Sequence, residues 1–121
     1  MRRIIQSLLA AAVIAAASPC LAQVTNAPTT NASITIATGN TFQQALAVLG
    51  SPPAIRRSLT IENNNTTDSC WVFIGSGAAT KALSILLLPG GSYTRYFPYV
   101  PSDNIAATCT TTSDTLYVDT Q

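Results

Sequence analysis

The sequence predicts an all-β chain: a single small antiparallel β-sandwich, Ig-like or jelly-roll-like, with one short helix, following a cleaved N-terminal signal helix. Three observations predict it. Six or seven short stretches of strand character succeed one another between residues 33 and 118, separated by turn residues at close spacing. Cys70 and Cys109 fall on two of those stretches. The chain opens with the three-part layout of an export signal.

That signal spans 1–22: Arg2 and Arg3, an apolar stretch over 4–17, then Pro19 and the small residue Ala22. Cleavage is expected between Ala22 and Gln23. The apolar run is shorter than the ~20 residues that cross a bilayer, so no stable membrane span is expected after cleavage. Ile5 and Gln6 do not fit a twin-arginine signal, and Pro19 before Cys20 does not fit a lipid-anchoring site. General secretion follows, which places the protein in the periplasm, the envelope or the medium.

Residues 23–31 are polar, without an apolar face, and read as a flexible leader to a sandwich domain over 32–121. Alternation over 33–37 marks a first strand, closed by Gly39-Asn40. The stretch 41–49 has helical character: Thr41 can cap, Gln44 sits at the capping-box position, and Phe42, Leu46 and Leu49 share a face. Pro52-Pro53 then turns the chain. In the next strand Leu59 and Ile61 point one way and Ser58, Thr60 and Glu62 the other, up to a polar turn over 63–68. Strands follow over 70–74 and 84–88. Pro89-Gly90-Gly91 reads as a hairpin turn returning over 92–96, and 105–109 with 115–118 read as a last antiparallel pair.

After cleavage four cations (Arg56, Arg57, Lys81, Arg95) stand against five acids (Glu62, Asp68, Asp103, Asp114, Asp119), a formal charge of 4 − 5 = −1. Four scattered cations make no basic stripe, which argues against nucleic acid or anionic lipid as partner. The one basic pair, Arg56-Arg57, reads as a solvated lead into the strand at Ser58. Two cysteines remain in an exported chain and predict a Cys70–Cys109 disulfide, one placement of which bridges the two sheets. Trp71 reads as packing against it. With no histidine and no Cys-x-x-Cys pair, neither a metal nor a cofactor is expected.

Gly75-Ser76-Gly77 follows a strand, as a phosphate-cradling loop does. It lacks the third glycine of that fingerprint and a convincing helix after it, so it reads as turn chemistry. Its spacing is not that of a nucleophile elbow, and no histidine can serve as base. Glu62 with Asp68 or Asp103 is the remaining carboxylate pairing a glycosidase could use; turn and strand-edge positions explain these acids more simply. No enzyme is expected.

The candidate contact surface is Tyr93, Arg95, Tyr96 and Tyr99, clustered among prolines that stiffen the segment. Tyrosine and arginine together suit a protein or sugar contact, because they give large contact area at low entropic cost. The alternative is that Tyr93 and Phe97 face the core.

The run over 56–96 and the tail over 114–121 resemble a group of small phage and prophage-associated β proteins. The shared features are an arginine-led Leu-x-Ile-x-Asn strand (Arg57, Leu59, Ile61, Asn63), a Val-x-x-Gly strand end (Val72, Gly75), a Leu-x-Pro-Gly-x-Ser turn (Leu88, Pro89, Gly90, Ser92) and a closing Leu-x-Val strand (Leu116, Val118). The resemblance implies a non-enzymatic virion decoration or accessory module that works by self-association or within a larger assembly. An export signal departs from that pattern, since virion parts assemble in the cytoplasm. The expected role is therefore either such a module, exported, or a secreted or envelope module that binds carbohydrate or another surface.

Overall fold

The computed structural model describes residues 29–47 and 55–121. The signal at 1–22, leader residues 23–28, the end of the expected helix at 48–49 and Pro52-Pro53 lie outside the described residues. The described residues form nine strands in two antiparallel sheets: β1 Thr30–Asn31, β2 Ile34–Thr35, β3 Gln43–Leu46, β4 Ser58–Asn63, β5 Cys70–Ile74, β6 Ile85–Leu87, β7 Ser92–Tyr96, β8 Ile105–Cys109 and β9 Thr115–Thr120. Sheet A runs β1-β9-β4-β7, with β2 also on β9, and sheet B runs β3-β8-β5-β6.

The sheets meet through the faces that alternation assigns inward. Leu59 and Ile61 of β4 and Leu116 and Val118 of β9 share one core with Cys70 and Val72 of β5, Leu87 of β6, and Ile105, Ala107 and Cys109 of β8. Fully burying a side chain of this size contributes about 1.5–3 kcal/mol, so this cluster is the main stabilising term. The outer face of sheet B is partly closed by its own rings. Trp71 sits opposite Thr108 and Phe73 opposite Ala106, large beside small, and Phe73, Ala106 and Thr108 are all buried.

Several sequence expectations are corrected. The segment 41–49 is not a helix where it is described: Gln43–Leu46 is a strand on β8, with a register shift between Gln44 and Leu46. Its helical spacing loses to the unpaired edge of β8, a tertiary demand that outweighs weak local preference. The described helical turn lies elsewhere, a short 3-10 turn at Lys81–Leu83. Thr30 and Asn31, read as flexible leader, pair with Thr120 and Asp119.

Neither expected hairpin forms. β6 belongs to sheet B and β7 to sheet A, and β8 and β9 are divided in the same way. A hairpin is the cheapest loop to close. Here, however, each of these segments carries an apolar face, and passing from sheet to sheet sets those faces against one another. The Pro89-Gly90 turn makes one such passage. Gly91 N–H donates to Leu88 O at 2.7 Å, and Gly90 has φ 73, the left-handed value that the third position of a type II turn requires.

Candidate interaction surface

Sheet A and sheet B end on the same side with β7 and β6, and at one end of the sandwich the chain passes from Tyr96 into the loop over 97–104. Exposed large hydrophobic residues among the described residues lie at that end and along β6. Ile55, Tyr96, Phe97 and Tyr99 occupy the end, and Leu83, Ile85, Leu86 and Leu88 follow β6 and its lead-in. Tyr99 is 81% exposed and Leu83 72%, values that fit display and not a core.

The four residues expected to form a contact surface divide between two faces. Tyr93 is opposite Ile61 and Arg95 opposite Leu59, which puts both on the inner face of an edge strand. There Tyr93 packs against the core, and the Arg95 guanidinium lies 4.7 Å from the centre of its ring. Tyr96, opposite Ser58, turns to the outer face, and Tyr99 follows in a turn in which its N–H donates to Tyr96 O at 3.0 Å. Tyr96 and Tyr99 thus remain surface groups, while Tyr93 and Arg95 form the lip of the sandwich. Phe97 is exposed and does not face the core.

Sequence reasoning missed Ile55, Leu83, Leu86 and Leu88. For the three leucines the signal was present in the run over 82–94, which contains no charged residue, and in the unbroken Ile85-Leu86-Leu87-Leu88. A strand with water on one face alternates, and this one does not.

The frame behind this surface is held by Arg56, which is buried and not solvated as its neighbour Arg57 is. Its Nη1 donates to Pro101 O at 2.7 Å and Asp103 O at 3.0 Å, and its Nη2 to Ala47 O at 2.7 Å. Burial lowers its pKa from the usual arginine value, and the nearby Asp103 carboxylate opposes that shift. A guanidinium presents five N–H donors in a rigid fork, so one side chain fastens three stretches of main chain.

The opposite end is closed by a covalent bond and a buried amide. Cys70 and Cys109 are joined in a disulfide with an S–S length of 2.03 Å; they lie directly opposite on β5 and β8, so the bridge is within sheet B and not between sheets. Strand alternation points Trp71 to the other face from Cys70, where Lys81 Nζ lies 3.8 Å from its ring centre, so it does not pack on the disulfide. Asn63, fully buried, donates from Nδ2 to Asp68 O at 2.8 Å, Leu87 O at 3.0 Å and Leu88 O at 3.2 Å, and its Oδ1 accepts from Asn65. At the same end a Cβ on Gly39 would stand 2.7 Å from Thr110 O, and Asn40 N–H donates to Cys109 O at 2.8 Å.

Potential ligand atoms of Cys70, Cys109 and Asp114 lie within 4.8 Å of one another, but both sulfurs are spent in the disulfide and have no thiolate to offer. Of the acids weighed as a carboxylate pairing, Glu62 lies on β4 opposite Ser92 and Tyr117, Asp68 accepts hydrogen bonds from Thr67 and Thr111 at the disulfide end, and Asp103 lies beside Arg56 at the other. Those threonine hydroxyls lower the Asp68 pKa. No helix of the described residues is long and apolar enough to cross a membrane. No protein-family model, no curated protein and no solved structure matches the chain.

Proposed function

We propose that this domain is a non-enzymatic structural module that works, after export, by packing its open side against other protein, in the manner of the phage-associated decoration and accessory proteins its sequence resembles. One observation carries the reading: among the described residues the exposed large hydrophobics lie on β6, its lead-in and the adjoining loop end, and the side built from β1, β2 and β3 has none. Scattered exposed leucines need no explanation, whereas a run of them along one edge strand supports a contact surface.

The strand order supports a jelly roll over an Ig-like sandwich. With β1 and β2 taken as one strand, the first pairs with the last, β3 with β8, β4 with β7 and β5 with β6. A single long antiparallel ribbon rolled on itself has this nesting. The disulfide supports an oxidising compartment and hence export.

Light scattering on protein recovered outside the cytoplasm tests the assembly reading. Multiples of the protomer mass, rising with concentration, are expected. A strict monomer that cross-links to no virion or envelope component overturns it. Exposed Tyr96 and Tyr99 favour a second reading, a carbohydrate-binding face. Glycan binding lost in a Tyr96→Ala, Tyr99→Ala variant would replace the first reading with this one.

A further inference from the structure

We infer that β6 is a self-docking strand, which pairs antiparallel with β6 of a second copy about a two-fold axis at Leu86 and joins two four-stranded sheets into one. The inference rests on the assembly reading above and names its contact.

The direction of the free backbone groups follows from two hydrogen bonds. Gly75 N–H donates to Asn104 O at 3.0 Å, and Thr110 N–H donates to Ser69 O at 3.0 Å. Both bonds join β5 to β8 at odd-numbered positions of the β5 segment. In an antiparallel ladder the residues between them, Cys70 and Val72, turn their own N–H and C=O groups the other way, toward β6. Their partners on β6 are Leu87 and Ile85. Leu86 between these two therefore points its amide and carbonyl out of the sheet, a donor and an acceptor placed to pair with the same two groups of an identical strand.

The other edges are guarded. In β7 the Arg95 side chain reaches the carbonyl of Thr94, at 3.4 Å, and puts a charge on the strand. A register shift breaks β3, and β1 and β2 have two residues each. Breaks, charges and bulges are the devices by which edges avoid pairing, and β6 has only its shortness.

Charge selects a second copy as the occupant. A two-fold contact sets each side chain against its own counterpart or a near neighbour, so any charge would meet a like charge. The run over 82–94 has none. The nearest cation, Lys81, is drawn off the edge: its Nζ donates to Asn40 Oδ1 at 2.6 Å and lies over Trp71. Centred on Leu86, the pairing exchanges two N–H···O bonds, brings the two Leu86 side chains together, and sets Ile85 of each copy opposite Leu87 of the other.

Two experiments on the exported full-length protein test this. In the wild type, exchange of the Leu86 amide should slow as concentration rises, while the amides of exposed Thr111 and Thr112 should not change. Leu86→Lys and Leu86→Glu should each be monomeric, and mixing them should restore a dimer, because opposite charges then meet across the axis. Circular dichroism establishes that both variants fold. Concentration-independent exchange at Leu86, or a mixture that stays monomeric, overturns the inference. Oligomers that survive Leu86→Lys but vanish in Tyr96→Ser, Tyr99→Ser overturn the β6 contact and leave the assembly reading standing. No oligomer and no bound assembly component overturns both.

Discussion

The two ends of the sandwich solve the same problem with different chemistry. Each must satisfy main-chain groups where strands stop, and each does so with one buried polar side chain, Asn63 at one end and Arg56 at the other. At the Asn63 end the loops carry small polar residues such as Thr66, Thr67, Thr111 and Thr112, and a disulfide lies beneath them. At the Arg56 end the loops carry Ile55, Phe97 and Tyr99 in the open. The first arrangement closes the molecule. The second holds apolar groups outward on a pinned backbone, which in the proposed assembly leaves little conformational entropy to be lost on contact.

The contrast can be broken most directly at the closed end. Replacing both Cys70 and Cys109 by alanine should cost about 4 kcal/mol, as expected for a closed loop of this length, and should be read as a lower urea midpoint. Arg56→Met should follow at about 2–3 kcal/mol, since it leaves three carbonyls without their donor. Its signature is local: faster amide exchange over 97–104, with the disulfide end unchanged. Gly39→Ala should cost about 1–3 kcal/mol, because its methyl group meets the main chain at Thr110, which cannot move aside as a flexible side chain would.

Smaller effects sharpen the comparison. Asp68 has a lowered folded pKa, so its contribution is present above the unfolded carboxylate value of about 3.9 and is lost as pH falls through the folded one. Acid titration of wild type against Asp68→Asn should therefore show a slightly steeper loss in the wild type at low pH. Tyr99→Ser should change stability by no more than about 0.5 kcal/mol, read as a nearly unchanged urea midpoint, since that ring is displayed and not packed.

Much of the strand content was legible along the chain. Alternation in Ser58–Asn63 located the inward Leu59 and Ile61, and two cysteines outside the expected signal announced their bond. The segment around Gln43–Leu46 was misread because its apolar spacing satisfies a helix as well as a bulged strand, and only the free edge of β8 chooses between them. Arg56 looked like one of two equivalent surface cations. Its burial depends on carbonyls from Ala47, Pro101 and Asp103, which are distant in sequence and together only after folding. Proximity in sequence gathered Tyr93, Arg95, Tyr96 and Tyr99, and the pleat of β7 sent Tyr93 and Arg95 to one face and Tyr96 to the other.

What the amino-acid order determined by itself was local: which residues alternate, where glycine and proline turn the chain, and where the cysteines fall. Which strands became neighbours was decided only in three dimensions. Burying two apolar faces at once required consecutive strands to part into different sheets, and the same requirement put β6 at the edge of sheet B among the described strands. Neither is a property of any short stretch, because both depend on the free energy of the whole packed core against the small extra entropy of closing longer loops.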